Sequence, residues 1–286
     1  MLNILTIDVE DWYDLSGQQL RGVGTPRPDV LARQLDHLLE LLARHKTRAT
    51  CFCLGGSLQH APHLVRQIAD AGHEIGTHGW GHALISQSGL DAFRSDLTRS
   101  LDWLGQLLGR PVRGHRAPAF SVAPAQLDGF YDVCCDAGLL YDSSVFPIRG
   151  RRYGIPDARV APHIARERDG RTLYEIPLST LPGRSGRRPV AGGGHWRIRS
   201  VERISAAVEA LNRAGLPMVT YLHPYEFDER PLDAFAAAGW SLRTVKHYLK
   251  QNLNRGSMYR KLDVILSRHR FGAVEDYLRE AGLITT

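Results

Sequence analysis

The sequence predicts an α/β fold: a distorted (β/α) barrel of about seven parallel strands with a C-terminal helical extension. Short apolar segments alternate along the chain with amphipathic segments of roughly ten or more residues, which is the pattern of βαβ units around a parallel sheet. About seven such units fit within roughly 240 residues, and this number favours a barrel over an open sheet. The chain of 286 residues is long enough for one domain of this kind.

The expected strands are short and apolar, and the first reads as buried on both faces. They cover residues 2–9, 49–55, 73–78, 112–118, 139–144, 172–180 and 218–227. The expected helices between them cover residues 28–45, 62–71, 90–108, 124–137 and 201–214. The first helix has a single apolar face with residues at spacings of three and four. This face consists of Leu31, Leu35, Leu38, Leu39 and Leu42.

Two segments interrupt the alternation. Residues 149–171 are rich in Arg, Pro and Gly, and residues 181–195 ("LPGRSGRRPVAGGGH") are similar. We interpret both as inserted loops, and loops this long in a compact domain are usually functional. From about Lys246 the chain reads as helical and basic. We therefore expect a barrel over residues 1–245 and a helical extension over residues 246–286 that packs on it.

Composition restricts the class of protein. An apolar fraction of 43% and a charged fraction of 23% are ordinary for a globular chain. The net charge of +6 suits an anionic partner, but the basic residues are spread out and do not alternate with aromatic ones, so nucleic-acid binding is not predicted. No apolar run approaches the ~18 residues of a membrane span. The four cysteines, Cys51, Cys53, Cys134 and Cys135, are interpreted as reduced thiols, so we expect a cytoplasmic protein, associated at most with the inner membrane face.

Polar residues recur at the ends of the expected strands. Asp8, Glu10 and Asp11 follow the first strand, His78 and His82 follow the third, Arg116 follows the fourth, and His223 follows the last. The carboxyl ends of parallel barrel strands share one mouth, where barrel enzymes place their chemistry. The sequence therefore predicts a single site formed by these side chains.

The segment "THGWGH" places two histidines four residues apart, so that both imidazoles can face one ion. On this spacing alone the pair is either a metal site or two structural histidines. It is not an HExxH motif, so a hydrolase built here must bring its base from elsewhere. Two histidines and one carboxylate would leave an open position on Zn²⁺ or a similar ion. A second carboxylate that is not a ligand could then act as general base.

The segment "GGGHWR" at residues 192–197 allows a close backbone approach to a ligand at Gly193 and Gly194, or is simply a flexible loop. The neighbouring Trp196 is a further candidate for substrate contact. The segment "PYE" after His223 either orients that histidine or begins a loop.

In order along the chain, "LTIDVED", "ATCFCLGG", "GHEIGTHGWGH", "RAPAFS" and "YLHPYE" resemble the NodB-homology polysaccharide deacetylases, a family of metal-dependent carbohydrate de-N-acetylases. The resemblance covers about residues 2–225. "YDSSVFP", "EIPLST" and "GGGHWR" further resemble a subgroup associated with bacterial exopolysaccharide biosynthesis.

The resemblance implies a distorted (β/α) barrel and one divalent ion, most commonly Zn²⁺, with Co²⁺ or Ni²⁺ as alternatives. His78 and His82 match the metal-binding histidines, Asp8 the catalytic base, Arg116 the arginine that orients this base, and His223 the general acid. Tyr221 and Leu222 match the residues that shape the pocket for the acetyl methyl group, and Phe120 belongs to the wall beside Arg116.

One departure from the family pattern bears on the metal site. The family has two adjacent aspartates after the first strand, base and then ligand, but Val9 occupies the second position here. The carboxylate ligand is therefore Glu10 or Asp11. Strand alternation puts Asp8 and Glu10 on the same face and favours Glu10, whereas a chain that curls after Val9 would favour Asp11.

The resemblance implies removal of acetyl groups from N-acetylated sugars of a polysaccharide or of its lipid-linked precursor. The expected partner is thus an N-acetylated glycan or a lipid-linked oligosaccharide. Two alternatives are a small-molecule C–N amidase of the allantoinase type on the same scaffold and a non-catalytic carbohydrate-binding remnant.

Overall fold

The computed structural model describes residues 1–17, 27–150, 153–230 and 241–284. Strands β1 to β11 are, in chain order, Asn3–Val9, Thr50–Cys53, Glu74–Thr77, Gly114–His115, Tyr141–Asp142, His163–Arg168, Arg171–Glu175, Thr180–Gly183, Gly186–Pro189, Val219–Leu222 and Phe271–Gly272. Helices α1 to α12 are Trp12–Gly17, Pro28–Arg44, Gly55–Leu58, Pro62–Asp70, Ile85–Ser88, Leu90–Leu108, Leu127–Asp136, Gly193–Arg197, Val201–Arg213, Leu242–Asn252, Met258–Arg268 and Val274–Glu280.

Nine of these strands form one curled sheet in the order β10-β1-β2-β3-β4-β5-β7-β6, with β11 also paired to β1. The strands from β10 to β7 in this order are parallel to their neighbours, which gives the seven parallel strands that the sequence predicts. Strand β6 at the end of the order is antiparallel to β7. The predicted distorted (β/α) barrel is confirmed.

Strand β1 separates two apolar layers. Its residues Leu5, Ile7 and Val9 pack outward against helices such as α2, whose predicted leucine face is buried. Ile4 points the other way and belongs to the cluster inside the curled sheet. Because side chains alternate along a strand, Asp8 shares this interior face, so the first acidic residue of the chain points into the barrel.

The structure corrects the prediction of a loop over residues 149–171. Strand β6 lies within this segment and forms an antiparallel hairpin with β7, closed by Asp169 and Gly170 at φ values of 49° and 73°. A tight turn with two positive φ angles favours an Asp-Gly pair. The dipeptide was therefore the local signal for the hairpin. Residues 151–152, from the same basic segment, lie outside the described residues.

Residues 181–195 were likewise predicted as a loop, and this prediction is wrong. They contain most of the β8–β9 hairpin and the start of α8. The single strand predicted over residues 172–180 is in fact the end of β7 and the start of β8. Pro177 lies between these two strands, and a proline cannot donate a backbone hydrogen bond to a neighbouring strand.

The C-terminal segment contacts both apolar layers. Strand β11 pairs with Asn3 and Ile4 of β1, and α11 buries Leu262 among the outer cluster. Helix α12 begins against the opposite end of the barrel from the polar strand ends, where the backbone N–H of Val274 donates to Thr50 Oγ1 at 2.8 Å. Among the described residues, no helix combines the length and apolarity needed to span a lipid bilayer.

This packing predicts that the extension contributes to the stability of the barrel. Leu262→Ala should lower the free energy of unfolding by about 2–5 kcal/mol, because it removes a fully buried side chain. Leu249→Ala on α10 is the matched control: its side chain is 61% exposed, so the change should stay within about 0.5 kcal/mol. Urea denaturation of both variants measures the difference. Equal effects would contradict the packing described here.

Candidate active site

The predicted polar residues meet at the carboxyl ends of the parallel strands. Asp8 is the second-last residue of β1 and Glu10 directly follows this strand, His78 follows β3, Arg116 follows β4, and His223 follows β10. All five side chains are buried, with exposed fractions between 0% and 8%. Burial of so many ionisable groups is costly unless they compensate one another, so their mutual geometry determines what the site can do.

Glu10, His78 and His82 form a compact group of donor atoms. One nitrogen or oxygen of each lies within 4.8 Å of those of the other two. Oε2 of Glu10 is 2.8 Å from Nε2 of His82 and 3.9 Å from Nε2 of His78. The Nδ1 atom of His78 lies 2.8 Å from the carbonyl oxygen of Arg116, so Nδ1 carries the proton and Nε2 offers its lone pair to the centre. Two imidazole nitrogens and one carboxylate oxygen fit a divalent ion with an open position.

Asp11 is placed differently. Its Oδ1 accepts from the backbone N–H of Tyr13 at 3.0 Å, and its Oδ2 accepts from the backbone N–H of Arg27 at 2.8 Å. These bonds turn the carboxylate toward backbone N–H groups at the start of α1 and directly before α2. The geometry therefore favours Glu10 over Asp11 as the carboxylate ligand.

Asp14 lies in α1 and accepts a hydrogen bond from the hydroxyl of Ser57 at 2.8 Å. Burial and the nearby charge of Glu10 raise its pKa to about 7.

The loop between the two histidines is held by a residue that the sequence reasoning missed. Asp96 of α6 accepts from the backbone N–H of Trp80 at 2.7 Å and from that of Gly81 at 2.8 Å. The loop turns through Gly79 and His82, both at positive φ. No local sequence pattern marks Asp96, because it lies on a different helix and its partners are backbone groups.

Asp8 is paired with a fully buried arginine. Arg116 donates to Asp8 Oδ1 at 2.8 Å, to Thr6 Oγ1 at 2.5 Å and to the side chain and carbonyl of Ser143. The guanidinium also lies over the ring of Phe52, 4.4 Å from its centroid. Arg116 is thus fixed on all sides, and its positive charge pairs with the buried carboxyl group of Asp8.

His223 lies between two carboxylates. Its Nε2 is 3.5 Å from Oε1 of Glu10, and its Nδ1 is 3.5 Å from Oε2 of Glu226. Glu226 is itself fully buried, accepts from the backbone N–H of His223 at 3.1 Å, and pairs with Arg197. Of the two interpretations of "PYE", the structure favours orientation of His223.

The pKa values of these groups are shifted because several charged side chains lie close together inside the barrel. Burial alone would raise the pKa of Glu10, but the charge of His82 and hydrogen bonds from His223 and His82 outweigh it and hold the pKa well below its usual range. Burial would lower the pKa of His223, but its bonds to Glu10 and Glu226 raise it to about 10. Burial dominates at His78 and lowers its pKa to about 4, so this imidazole is neutral, as a metal ligand must be.

The remaining candidates form the walls. Tyr221 packs edge-on against Phe120 at 4.8 Å between ring centroids, and together they line the interior beside His223. Leu222 and Trp196 are fully buried in the outer cluster, so their predicted roles as substrate contacts remain predictions. Gly194 is exposed, whereas Gly193 is buried and packs against Glu226.

A second group of possible metal ligands contains His115, Cys134 and Asp142. The ring of His115 is already 2.7 Å from Asp142 through Nδ1. Burial raises the pKa of the Cys134 thiol well above its usual value, and a thiol must lose its proton to bind a metal. We therefore assign no ion to this group.

Comparison with known proteins gives two family matches. Residues 28–127 match the family model described as polysaccharide deacetylase, and residues 143–279 match one described as a domain of unknown function (DUF3473). A peptidoglycan-N-acetylglucosamine deacetylase of Bacillus cereus is 30% identical over 90 residues, which are 32% of this chain and 33% of the relative. The aligned part of the chain thus spans about a third of the length of that curated relative.

Solved structures show the same fold. A "probable polysaccharide deacetylase" from Pseudomonas aeruginosa PAO1 aligns with a TM-score of 0.62 and 14% identity over 96% of this chain and 89% of the other. The PuuE allantoinase aligns with a TM-score of 0.60 and 14% identity over 96% and 88%. At this level of identity the likeness concerns architecture, and it does not choose between the chemistries of the two proteins.

The contact between Gly193 and Glu226 gives a prediction with a matched control. A Cβ at residue 193 would lie 1.8 Å from Oε2 of Glu226, whereas the nearest atom to a Cβ at residue 194 is 3.7 Å away. Gly193→Ala should lower the free energy of unfolding by about 1–3 kcal/mol through this clash. Gly194→Ala should leave it within about 0.5 kcal/mol. Thermal denaturation distinguishes the two, and a neutral Gly193→Ala would show that Glu226 is not held where the structure has it.

Proposed function

We propose that this chain, a member of the polysaccharide deacetylase family by its residues 28–127, is a metal-dependent hydrolase that removes acetyl groups from N-acetylated sugars. The observation that carries the proposal is the convergence of Glu10, His78 and His82 on one point beside an arginine-held carboxylate and a carboxylate-held imidazole. We further propose that the glycan is a polysaccharide or its lipid-linked precursor, made by an exopolysaccharide biosynthesis system.

Glu10, His78 and His82 would hold the ion, with Zn²⁺ the first candidate and Co²⁺ or Ni²⁺ as alternatives. When bound, such an ion polarises the acetamide carbonyl and lowers the pKa of a coordinated water toward roughly 7. Asp11 remains outside this set, because its oxygens serve backbone N–H groups.

Asp8 is the proposed general base. Its bond to Arg116 fixes the direction of the carboxylate, which would accept a proton from the attacking water. The second oxygen of Asp8 is available for this transfer, since the contact with Arg116 uses Oδ1.

His223 is the proposed general acid. Burial disfavours the charged imidazole, but Glu10 and Glu226 raise its pKa to about 10 and so favour the protonated form. Glu226 lies 3.5 Å from Nδ1 and accepts a hydrogen bond from the backbone N–H of His223. A proton delivered from His223 to the amide nitrogen lets the C–N bond break, which yields acetate and a free amino sugar. Tyr221 and Phe120 provide an aromatic wall against which the acetyl methyl group would pack.

The proposal extends to organisation and location. We assign residues 1–245 to the catalytic barrel and residues 246–286 to an extension that packs on it. The four cysteines are free and buried, which supports action in the cytoplasm, at or near the inner face of the membrane.

Release of acetate from N-acetylglucosamine oligomers in the presence of Zn²⁺ or Co²⁺ tests the function. The wild-type protein should release acetate, and His78→Ala should abolish measurable release because a ligand is lost. His73→Ala is the control for histidine replacement, since His73 precedes β3 and lies at the other end of that strand.

Three results would contradict the proposal. Acetate release that survives His78→Ala would refute the metal-dependent mechanism. Turnover of small amides or ureides in place of the oligomers would favour the amidase alternative. Protein that turns over neither class and holds no stoichiometric ion would favour a carbohydrate-binding remnant.

A further inference from the structure

A cavity of about 340 Å³ lies away from the catalytic cluster, between the β8–β9 hairpin and helices α8 and α9. Its inner surface is mostly apolar and includes Val190, Trp196, Ile204 and Ala207. The indole N–H of Trp196 donates to the carbonyl of Val190, the residue after β9, at 3.0 Å. This bond links α8 to the hairpin and fixes the apolar inner surface, which forms the floor of the cavity. The volume falls within the range of about 300–1,000 Å³ typical of small-molecule sites.

The polar lining of this cavity is basic. It consists of Arg188, Arg199, Arg203 and His195, with no Asp or Glu among the lining residues. Within the described parts of the chain these three arginines form no ion pair with a carboxylate, whereas the neighbouring Arg197 and Arg213 pair with Glu226 and Glu209. Unpaired guanidinium groups around one cavity favour an anion with several oxygens, which arginine binds through two parallel hydrogen bonds.

Exposed apolar side chains also occur directly after α8 and at the end of α10, a helix that contacts α8. Ile198, directly after α8, is 56% exposed, and Leu249 and Leu253 at the end of α10 are 61% and 52% exposed. The two helices are joined because the guanidinium of Arg197 donates to the carbonyl of Gln251 at 2.5 Å. Exposed apolar side chains among basic ones are typical of surfaces that lie against lipid.

We propose that this cavity binds the isoprenoid diphosphate end of a lipid-linked glycan, with the hydrocarbon on the apolar floor and the diphosphate at the arginines. An acidic sugar or a free anion would satisfy the arginines but would leave the apolar floor without a partner. The inference rests on the proposed function, because the glycan at the other end of the same molecule is the substrate of the catalytic cluster.

Helix α8 connects the two sites. Its first residue, Gly193, packs against the Glu226 carboxylate that orients His223, while His195 lines the cavity. Residues two apart on a helix point about 200° apart, so the helix stands between the cavity and the general acid. The cavity and Glu226 thus lie on opposite faces of one helix, and in the proposed complex the glycan extends from the bound diphosphate toward the catalytic cluster.

Calorimetric titration of the full chain with three probes tests the site, with no acetylated sugar present. Farnesyl diphosphate carries both features, farnesol only the hydrocarbon, and inorganic pyrophosphate only the anion. Farnesyl diphosphate should bind at least tenfold more tightly than either of the other two. The double variant Arg199→Gln/Arg203→Gln should weaken it at least tenfold, while Arg213→Gln, farther along α9, should leave it unchanged.

Several results would overturn the inference. Equal affinity for pyrophosphate and farnesyl diphosphate would indicate a simple anion site, and tighter binding of a hyaluronan tetrasaccharide would indicate an acidic-glycan site. Absence of binding, or an equal loss in Arg213→Gln, would remove the site. The binding titration does not measure turnover, so the two proposals can fail separately. Protein that binds farnesyl diphosphate but releases no acetate from the oligomers refutes the proposed function alone. Protein that releases acetate but does not bind farnesyl diphosphate refutes this inference alone.

Discussion

The structure depends on compensation of the negative charges of the buried carboxylates at the end of β1. Asp8 and Glu10 project into the same interior, 2% and 1% exposed, where unpaired charges would cost several kcal/mol each. Arg116 pairs with Asp8 through a direct hydrogen bond, and the imidazoles of His82 and His223 lie beside Glu10. A divalent ion bound at Glu10 would provide much of the positive charge that compensates this carboxylate. The positively charged partners come from the ends of β-strands that are far apart in sequence. The charge cluster therefore forms only when the barrel is folded, and the barrel can bury the carboxylates only when these partners are in place.

Contacts with neighbouring residues fix the positions of the charged side chains in addition to compensating their charges. The side chain of Asp96 accepts hydrogen bonds from the backbone of the loop between His78 and His82. Glu226 lies beside His223 on the side opposite Glu10. Gly193 lets α8 approach Glu226 within a distance that no other residue would permit. Each proposed catalytic group is therefore fixed by at least one neighbour that does not itself contact the substrate, which is how preorganised sites achieve their geometry.

The sequence predicted the barrel because apolar strands and amphipathic helices alternate regularly, and it brought Asp8, His78, Arg116 and His223 together because parallel strand ends share one mouth. It missed the hairpin at β6 and β7, whose Asp-Gly turn was present but lay in a segment dominated by Arg and Pro. It could not identify Asp96, whose partners are backbone groups distant in sequence. Alternation along β1 favoured Glu10, but only the contacts of Asp11 with backbone N–H groups showed how the other carboxylate is engaged.

The central claim is that Glu10, with His78 and His82, forms a metal site in which Asp11 takes no part. Titration of metal-free protein with Zn²⁺, comparing Glu10→Gln with Asp11→Asn, tests it most directly, because the two carboxylates are adjacent and each substitution changes one atom. Glu10→Gln should weaken binding by on the order of 100-fold, and Asp11→Asn by less than about threefold. Loss of the ion in Asp11→Asn with binding retained in Glu10→Gln would contradict the account.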